Sequence, residues 1–288
     1  MRTGLPQPAP SASASRLRRR PRAGLIALVL VTAAGGLGWS SVRPSNDRPW
    51  VPEQARLASA RIDGPTLTLD NVRNFDWSGD TAVEAWERRS YDLDRIASVW
   101  YVLTPFARDW RGPAHAFLSF GFDDGAFLAI SVEARKEIGE RYEIWKGLLK
   151  RFELTYAVGD ERDFIGLRVL RHQTDAYVYP VRATREAARA LLLDMLDAVN
   201  ELAGAPAFYG SLRDNCTTRI LDHVNRIAPE RIPYGWRVLL PGYSDALVLE
   251  RGLLDTDLPL DAARARFLVN ERVRAHIGAP DFSSRIRE

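Results

Sequence analysis

The chain has 288 residues, 46% of them hydrophobic, with 8 Trp, 9 Tyr and 11 Phe, which is enough for a sizeable core in one large domain or two small ones. The formal charge of +3 is modest and comes largely from Arg16, Arg18, Arg19, Arg20 and Arg22. The remainder is close to neutral, so a nucleic-acid partner has little support, and a single cysteine, Cys216, excludes an internal disulfide.

Residues 1–22 read as a basic cytoplasmic tail, rich in Pro, Ser and Ala, without fixed structure. They run into residues 23–42, an uncharged stretch of Leu, Ala, Val and Gly. About 20 apolar residues span a bilayer, and Arg on the N-terminal side favours a cytoplasmic N-terminus. This predicts a transmembrane signal-anchor over 23–42; the competing reading is a signal peptide cleaved near Thr32-Ala33-Ala34. Both readings export the body of the protein. No cysteine near the end of the stretch marks the chain as a lipoprotein itself. Residues 43–65 carry Pro, Ser, Asn and Asp and read as a linker, leaving 66–288 as the folded body.

Within the body, apolar runs at 115–120 and 126–132 flank Asp124-Gly125, a hairpin signal. Residues 133–151 carry Ile138, Tyr142, Trp145, Leu148 and Leu149 at the spacing of an amphipathic helix. Strands are expected at 152–158 and 164–170, joined by the charged turn 159–163, and at 176–181. Thr184 caps a helix over 184–202, closed by Gly204 and Pro206, and Asn215 caps a second over 215–227. Helical pieces are expected over 248–253 and 260–277. The mixture defines an α+β domain.

If Asn215 caps its helix, Cys216 occupies the first turn, where unpaired backbone N–H groups and the helix dipole favour a thiolate. Those same N–H groups can hold an oxyanion. The alternative is a buried, inert cysteine that packs as a small hydrophobe. Of the four histidines, His223 lies two turns along the same helix, about 10 Å away and too far for a direct bond. His172 sits in a polar, exposed turn and His276 near the C-terminus. His115 opens an apolar strand, and strand ends commonly present side chains to a cleft. The hairpin brings residues near Glu133 opposite it, so Glu133 is a candidate to orient the imidazole, with Ser131 as the second candidate. Glu133 also reads as a helix-start carboxylate. Four scattered histidines and one cysteine make no zinc site, and the reading needs no metal and no cofactor.

The segments 114–122 (Ala-His-Ala-Phe-Leu-Ser-Phe-Gly-Phe), 131–135, 159–163, 208–218 and 240–246, in this order, resemble the Lnb N-terminal periplasmic domain family over roughly residue 70 to the C-terminus. The order of His, then a polar residue on the next strand, then Cys at a helix start is similar to circularly permuted NlpC/P60 enzymes. The resemblance implies a permuted NlpC/P60, papain-like α+β core with an antiparallel sheet and packed helices, which the transmembrane helix read from residues 23–42 precedes. It implies a lipoprotein N-acyltransferase of the cell inner membrane, single-pass, facing the periplasm. A membrane phospholipid would donate an acyl chain to Cys216, with His115 as base and Glu133 as its partner, and a diacylated lipoprotein would accept it. Ser131, Arg135, Tyr209, Asn215 and Thr217 are the candidates for substrate or oxyanion contacts. Two alternatives stand beside this reading: a papain-like hydrolase of the envelope, and a non-catalytic anchored binding module.

Overall fold

The computed structural model describes residues 24–30, 32, 41–107 and 111–288. Met1–Arg43 and Pro44–Glu288 are separate units. The first contributes a helix over residues 24–30. Half of the anchor expected over 23–42 lies outside the described residues, and among the described ones no helix is long and apolar enough to cross a membrane.

In Pro44–Glu288 the described strands are β1 (Ser59–Asp63), β2 (Thr66–Arg73), β3 (Trp86–Asp92), β4 (Ile96–Pro105), β5 (Ala114–Phe122), β6 (Phe127–Arg135), β7 (Glu153–Gly159) and β8 (Tyr177–Val181). They form one sheet in the order β1-β2-β7-β6-β5-β4-β8, with β3 also paired to β2. The sheet is mixed rather than purely antiparallel, because β2 meets β7 in parallel at Arg73 and Gly159. The hairpin signal is realised: Gly125 takes φ +85°, a left-handed conformation that glycine adopts without a steric penalty, between β5 and β6.

The described helices are α1 (Ile144–Leu148), α2 (Glu161–Gly166), which continues into a π-helical turn (Leu167–Arg171), α3 (Arg185–Gly204), α4 (Cys216–Ile227), α5 (Trp236–Leu239), α6 (Ser244–Glu250), α7 (Leu260–Phe267), α8 (Asn270–His276) and α9 (Phe282–Arg285). In α3, Leu191, Leu192, Met195, Leu196, Val199 and Leu202 recur on one stripe and pack with Ala114, Ala116, Leu118 and Phe120 of β5. On the opposite sheet face, Phe164, Ile165, Val169, Val273, Phe282 and Ile286 cover Phe117 and Ala129. Helices on both faces explain why all nine positions of β5 are buried and why it reads as a nearly unbroken apolar run.

Three local expectations change. Residues 44–65, read as linker, belong to the second unit: β1 pairs with β2, and Gln54 is 5% exposed. The helix expected over 133–151 shrinks to α1, because β6 stays paired with β7 as far as Arg135 and Gly139 turns the chain at φ +89°. Its apolar residues Ile138, Trp145, Leu148 and Leu149 are exposed rather than packed on the core. The strand expected over 164–170 is helical instead. Asp160 accepts the Arg162 N–H at 2.8 Å as an N-cap, and the apolar run buries a helical face.

The charged turn 159–163 fixes this helix. Asp163, fully buried, accepts from Arg73 Nε (2.8 Å) and Nη2 (3.0 Å), from Phe75 N–H (2.9 Å) and from Trp77 Nε1 (2.8 Å). A second clamp holds the loop before β5. Gly242 N–H donates to Gly112 O at 3.2 Å, and a Cβ on Gly242 would stand 1.2 Å from Arg111 O, so only glycine fits. Arg111 reaches Asp245 at 3.1 Å, and Arg264 completes that pair at 2.8 Å. The segment 240–246 thereby sets where β5 begins, and with it the position of His115.

Candidate active site

Asn215 is extended (φ −93°) and caps α4: its Oδ1 accepts Thr218 N–H at 2.9 Å, and the Thr218 hydroxyl accepts Asn215 N–H at 2.9 Å. Cys216 is therefore the first helical residue, among N–H groups with no intrahelical partner. Its side chain joins the core on the α3–α4 side of the sheet and is 4% exposed. Burial pushes the thiol above its ordinary range, and the backbone N–H groups of Ala116, Thr217 and Cys216 only partly oppose this. The resting group is a protonated thiol, unlike the stabilised thiolate that the helix start alone suggests, because desolvation outweighs the dipole.

His115 belongs to the other sheet face, beside Phe117. Ladder pairing between β5 and β6 covers Leu118–Gly121 against Phe127–Ile130 and stops there, while β5 remains paired with β4 and β6 with β7. The sheet parts at this end. Through the gap, His115 and Cys216 line one cavity of about 170 Å³, together with Glu133, Tyr142, Arg168 and Tyr209. No hydrogen bond joins the thiol and the imidazole among the described residues.

The imidazole has a defined tautomer. Burial alone would raise the Glu133 carboxyl, but Arg168 (3.2 Å), Arg73, His115 and Gln54 (2.8 Å) outweigh it and hold Glu133 far below the usual carboxylate range. An ionised carboxylate only accepts, so Ser131 donates its hydroxyl proton to Glu133 Oε1 at 3.0 Å. The Ser131 oxygen then accepts from His115 Nε2, 2.7 Å away, and the proton resides on Nε2. Glu133 Oε1 lies 3.8 Å from the same nitrogen. Nδ1 keeps its lone pair and has no hydrogen-bond partner among the described residues.

Burial, and then the Arg168 charge, lower the His115 pKa from 6.5 to about 3. The unfolded chain takes up a proton on this residue as pH falls through 6.5, and the folded one does not until about 3. Stability from His115 is thus fully present above pH 6.5 and is lost as the pH falls toward 3. Glu133 acts in the same direction from its ordinary value near 4.5 downward. The imidazole contribution amounts to several kcal/mol, roughly 3–5. Urea unfolding at fixed pH values between 7 and 4 is expected to show this loss, and His115→Phe to flatten it. Equal slopes for both proteins would contradict the assignment.

The remaining candidates separate by position. Tyr209 is 5% exposed, lines the cavity and shares a 3.3 Å hydroxyl contact with Tyr142. Arg135 is buried away from the cavity: it donates to Gln54 O (2.9 Å) and Ala55 O (3.1 Å), lies over the Trp50 ring and clips the 46–55 segment to β6. The side chain of Asn215 is consumed by the cap and by Ser211 O at 2.8 Å. The Thr217 hydroxyl bonds Val238 O at 2.6 Å and faces a different cavity. His223 sits between Tyr156 and Asp194, 2.6 Å from each, and ties α4 to β7 and α3. His172, expected in an open turn, stands at the cavity wall, where burial and Arg168 lower its pKa to about 4.

Two residues that grip Glu133 escape the sequence reading. Arg168 had a signal, since one charge inside the apolar run Phe-Ile-Gly-Leu-Arg-Val-Leu needs a buried partner. Gln54 had none, because it lies in a segment with no periodicity.

With this arrangement in place, the protein is defined as an α+β domain with a buried thiol and imidazole in one cavity. The model of the Lnb N-terminal periplasmic domain family matches residues 82–242, and the chain belongs to that family. The match spans the strand that carries His115, the Glu133 segment and the start of α4. No curated protein and no solved structure matches the chain.

Proposed function

We propose that this protein is a lipoprotein N-acyltransferase that carries an acyl chain from a membrane phospholipid, through a thioester on Cys216, to the N-terminal amine of a diacylglyceryl-cysteine. The observation that carries the reading is the tautomer of His115, which leaves Nδ1 as an acceptor in the cavity that holds the thiol. Nδ1 takes the thiol proton as sulfur attacks the ester carbonyl. The oxyanion that forms meets N–H groups at the start of α4. The imidazolium, made acidic by burial and steadied by Ser131 and Glu133, then returns its proton to the departing lysophospholipid oxygen. The lipoprotein amine attacks the thioester, its proton passes to Nδ1, and the thiolate leaves and is reprotonated. In this scheme Cys216 is the nucleophile, His115 the acid and base, and Ser131 and Glu133 position the ring.

The cavity mouth supports a lipid substrate, because Phe106 and Tyr142 line it and Trp145 stands exposed on the adjoining helix with Lys146 beside its ring. The reading keeps the protein at the periplasmic side of the inner membrane, held by residues 23–42. The test is incubation of the full chain in vesicles with acyl-labelled phospholipid and a diacylated lipopeptide. Label on the lipopeptide amine supports transfer. Release of free fatty acid with no labelled lipopeptide supports a hydrolase instead.

A further inference from the structure

A second and larger cavity lies along α4. It measures about 320 Å³, roughly twice an engineered apolar cavity of about 150 Å³ that takes up benzene. Thr217, Ile220, Leu221, Val224 and Ile227 form one wall, a helical stripe that begins at the residue after Cys216. Leu118 of β5, Leu191 of α3, Val238 of α5 and Val248 of α6 supply others. The Thr217 hydroxyl here bonds Val238 O, and Ser244 meets the Tyr101 hydroxyl at 2.6 Å; Arg182, Thr184 and Arg251 also line the cavity. The other lining residues are predominantly aliphatic. Along α4 the lining extends from Thr217 to Ile227, about 15 Å at the helical rise.

Two features tie this cavity to the thiol. Cys216 and Thr217 are adjacent on α4, one lining each cavity, so a chain attached at sulfur has only the first turn of the helix to pass. Strand β5 also runs between the two, with Ala114 and His115 lining the smaller cavity and Leu118 the larger. An aliphatic lining favours an apolar, unbranched ligand with no hydrogen-bonding groups along its length.

We propose that this cavity is the acyl-chain site of the protein: it receives the hydrocarbon tail of the acyl group esterified to the donor and later held on Cys216, and it selects for long chains. The proposal rests on the acyl-transfer reading and adds the place where chain length is measured.

The test uses a fluorescent long-chain fatty acid as probe and donors with 6-carbon and 16-carbon acyl chains, with the full-length protein. Val224→Trp fills the cavity from α4 and Ala187→Phe from α3, and thermal unfolding of each is recorded beside the binding data. Probe affinity is expected to fall at least tenfold in both variants and to be kept in Cys216→Ala. Transfer from the 16-carbon donor should drop at least tenfold relative to the 6-carbon donor. Probe affinity unchanged in both folded variants overturns the proposal, as does unchanged chain-length preference. Protein that dimerises through this face, excludes the probe and transfers normally also overturns it. If the probe binds and is displaced by the variants while no acyl transfer is seen, the chain site stands and the transfer reading fails.

Discussion

Cys216→Ser is expected to abolish acyl transfer, by about 10³-fold or more, while leaving the fold in place. The two side chains have nearly the same shape, and a serine hydroxyl can use the N–H groups of Ala116, Thr217 and residue 216 that now face the sulfur. The loss is chemical. A thiol is a far stronger acid than an alcohol and gives up its proton to the imidazole more readily during attack. His115→Gln is expected to cost a similar factor. Glu133→Gln should cost less, about 10–100-fold, because Ser131 can still hold Nε2. Rates with labelled phospholipid and lipopeptide, with circular dichroism to monitor folding, check all three. Retention of more than a tenth of the activity in Cys216→Ser would remove the nucleophile from the scheme.

The second large effect is on stability. Asp163→Ala is expected to destabilise the protein by about 3–5 kcal/mol, since it removes the carboxylate 2.8 Å from Arg73, a guanidinium only 1% exposed. It also strands the Phe75 N–H and Trp77 Nε1–H donors. For a domain of this size the melting temperature should fall by roughly 10 °C. The double change Arg73→Met with Asp163→Leu is expected to recover part of the loss, because neither member of this pair is then left as a buried charge without the other. Calorimetry on the single and double variants decides it. A single variant as stable as the wild type would mean that the pair contributes nothing.

The parts of the molecule written in local chemistry were legible in the sequence. Asp124-Gly125 announced the hairpin, Thr184 and Asn215 announced their helices, and the turn geometry placed Ser131 and Glu133 near His115. Features set by tertiary context were not. The run 164–170 has strand-forming residues, yet Asp160 and a second core made it helical. Residues 138–149 carry a helical apolar spacing, but no core element receives it. Gln54 came from a stretch that reads as linker. Most telling, the parting of β5 from β6 has no local signature, and it alone lets groups from opposite sheet faces share a cavity. The thiol's high pKa follows from the same burial, and a helix start on paper does not reveal it.

The most direct test of the account is intact-mass spectrometry of the full-length protein after brief exposure to phospholipid vesicles without an acceptor. The account predicts a mass increase of one acyl group, mapped to Cys216, removed by hydroxylamine and lost on addition of a diacylated lipopeptide. Transfer to the lipopeptide with the label never found on Cys216 would contradict it.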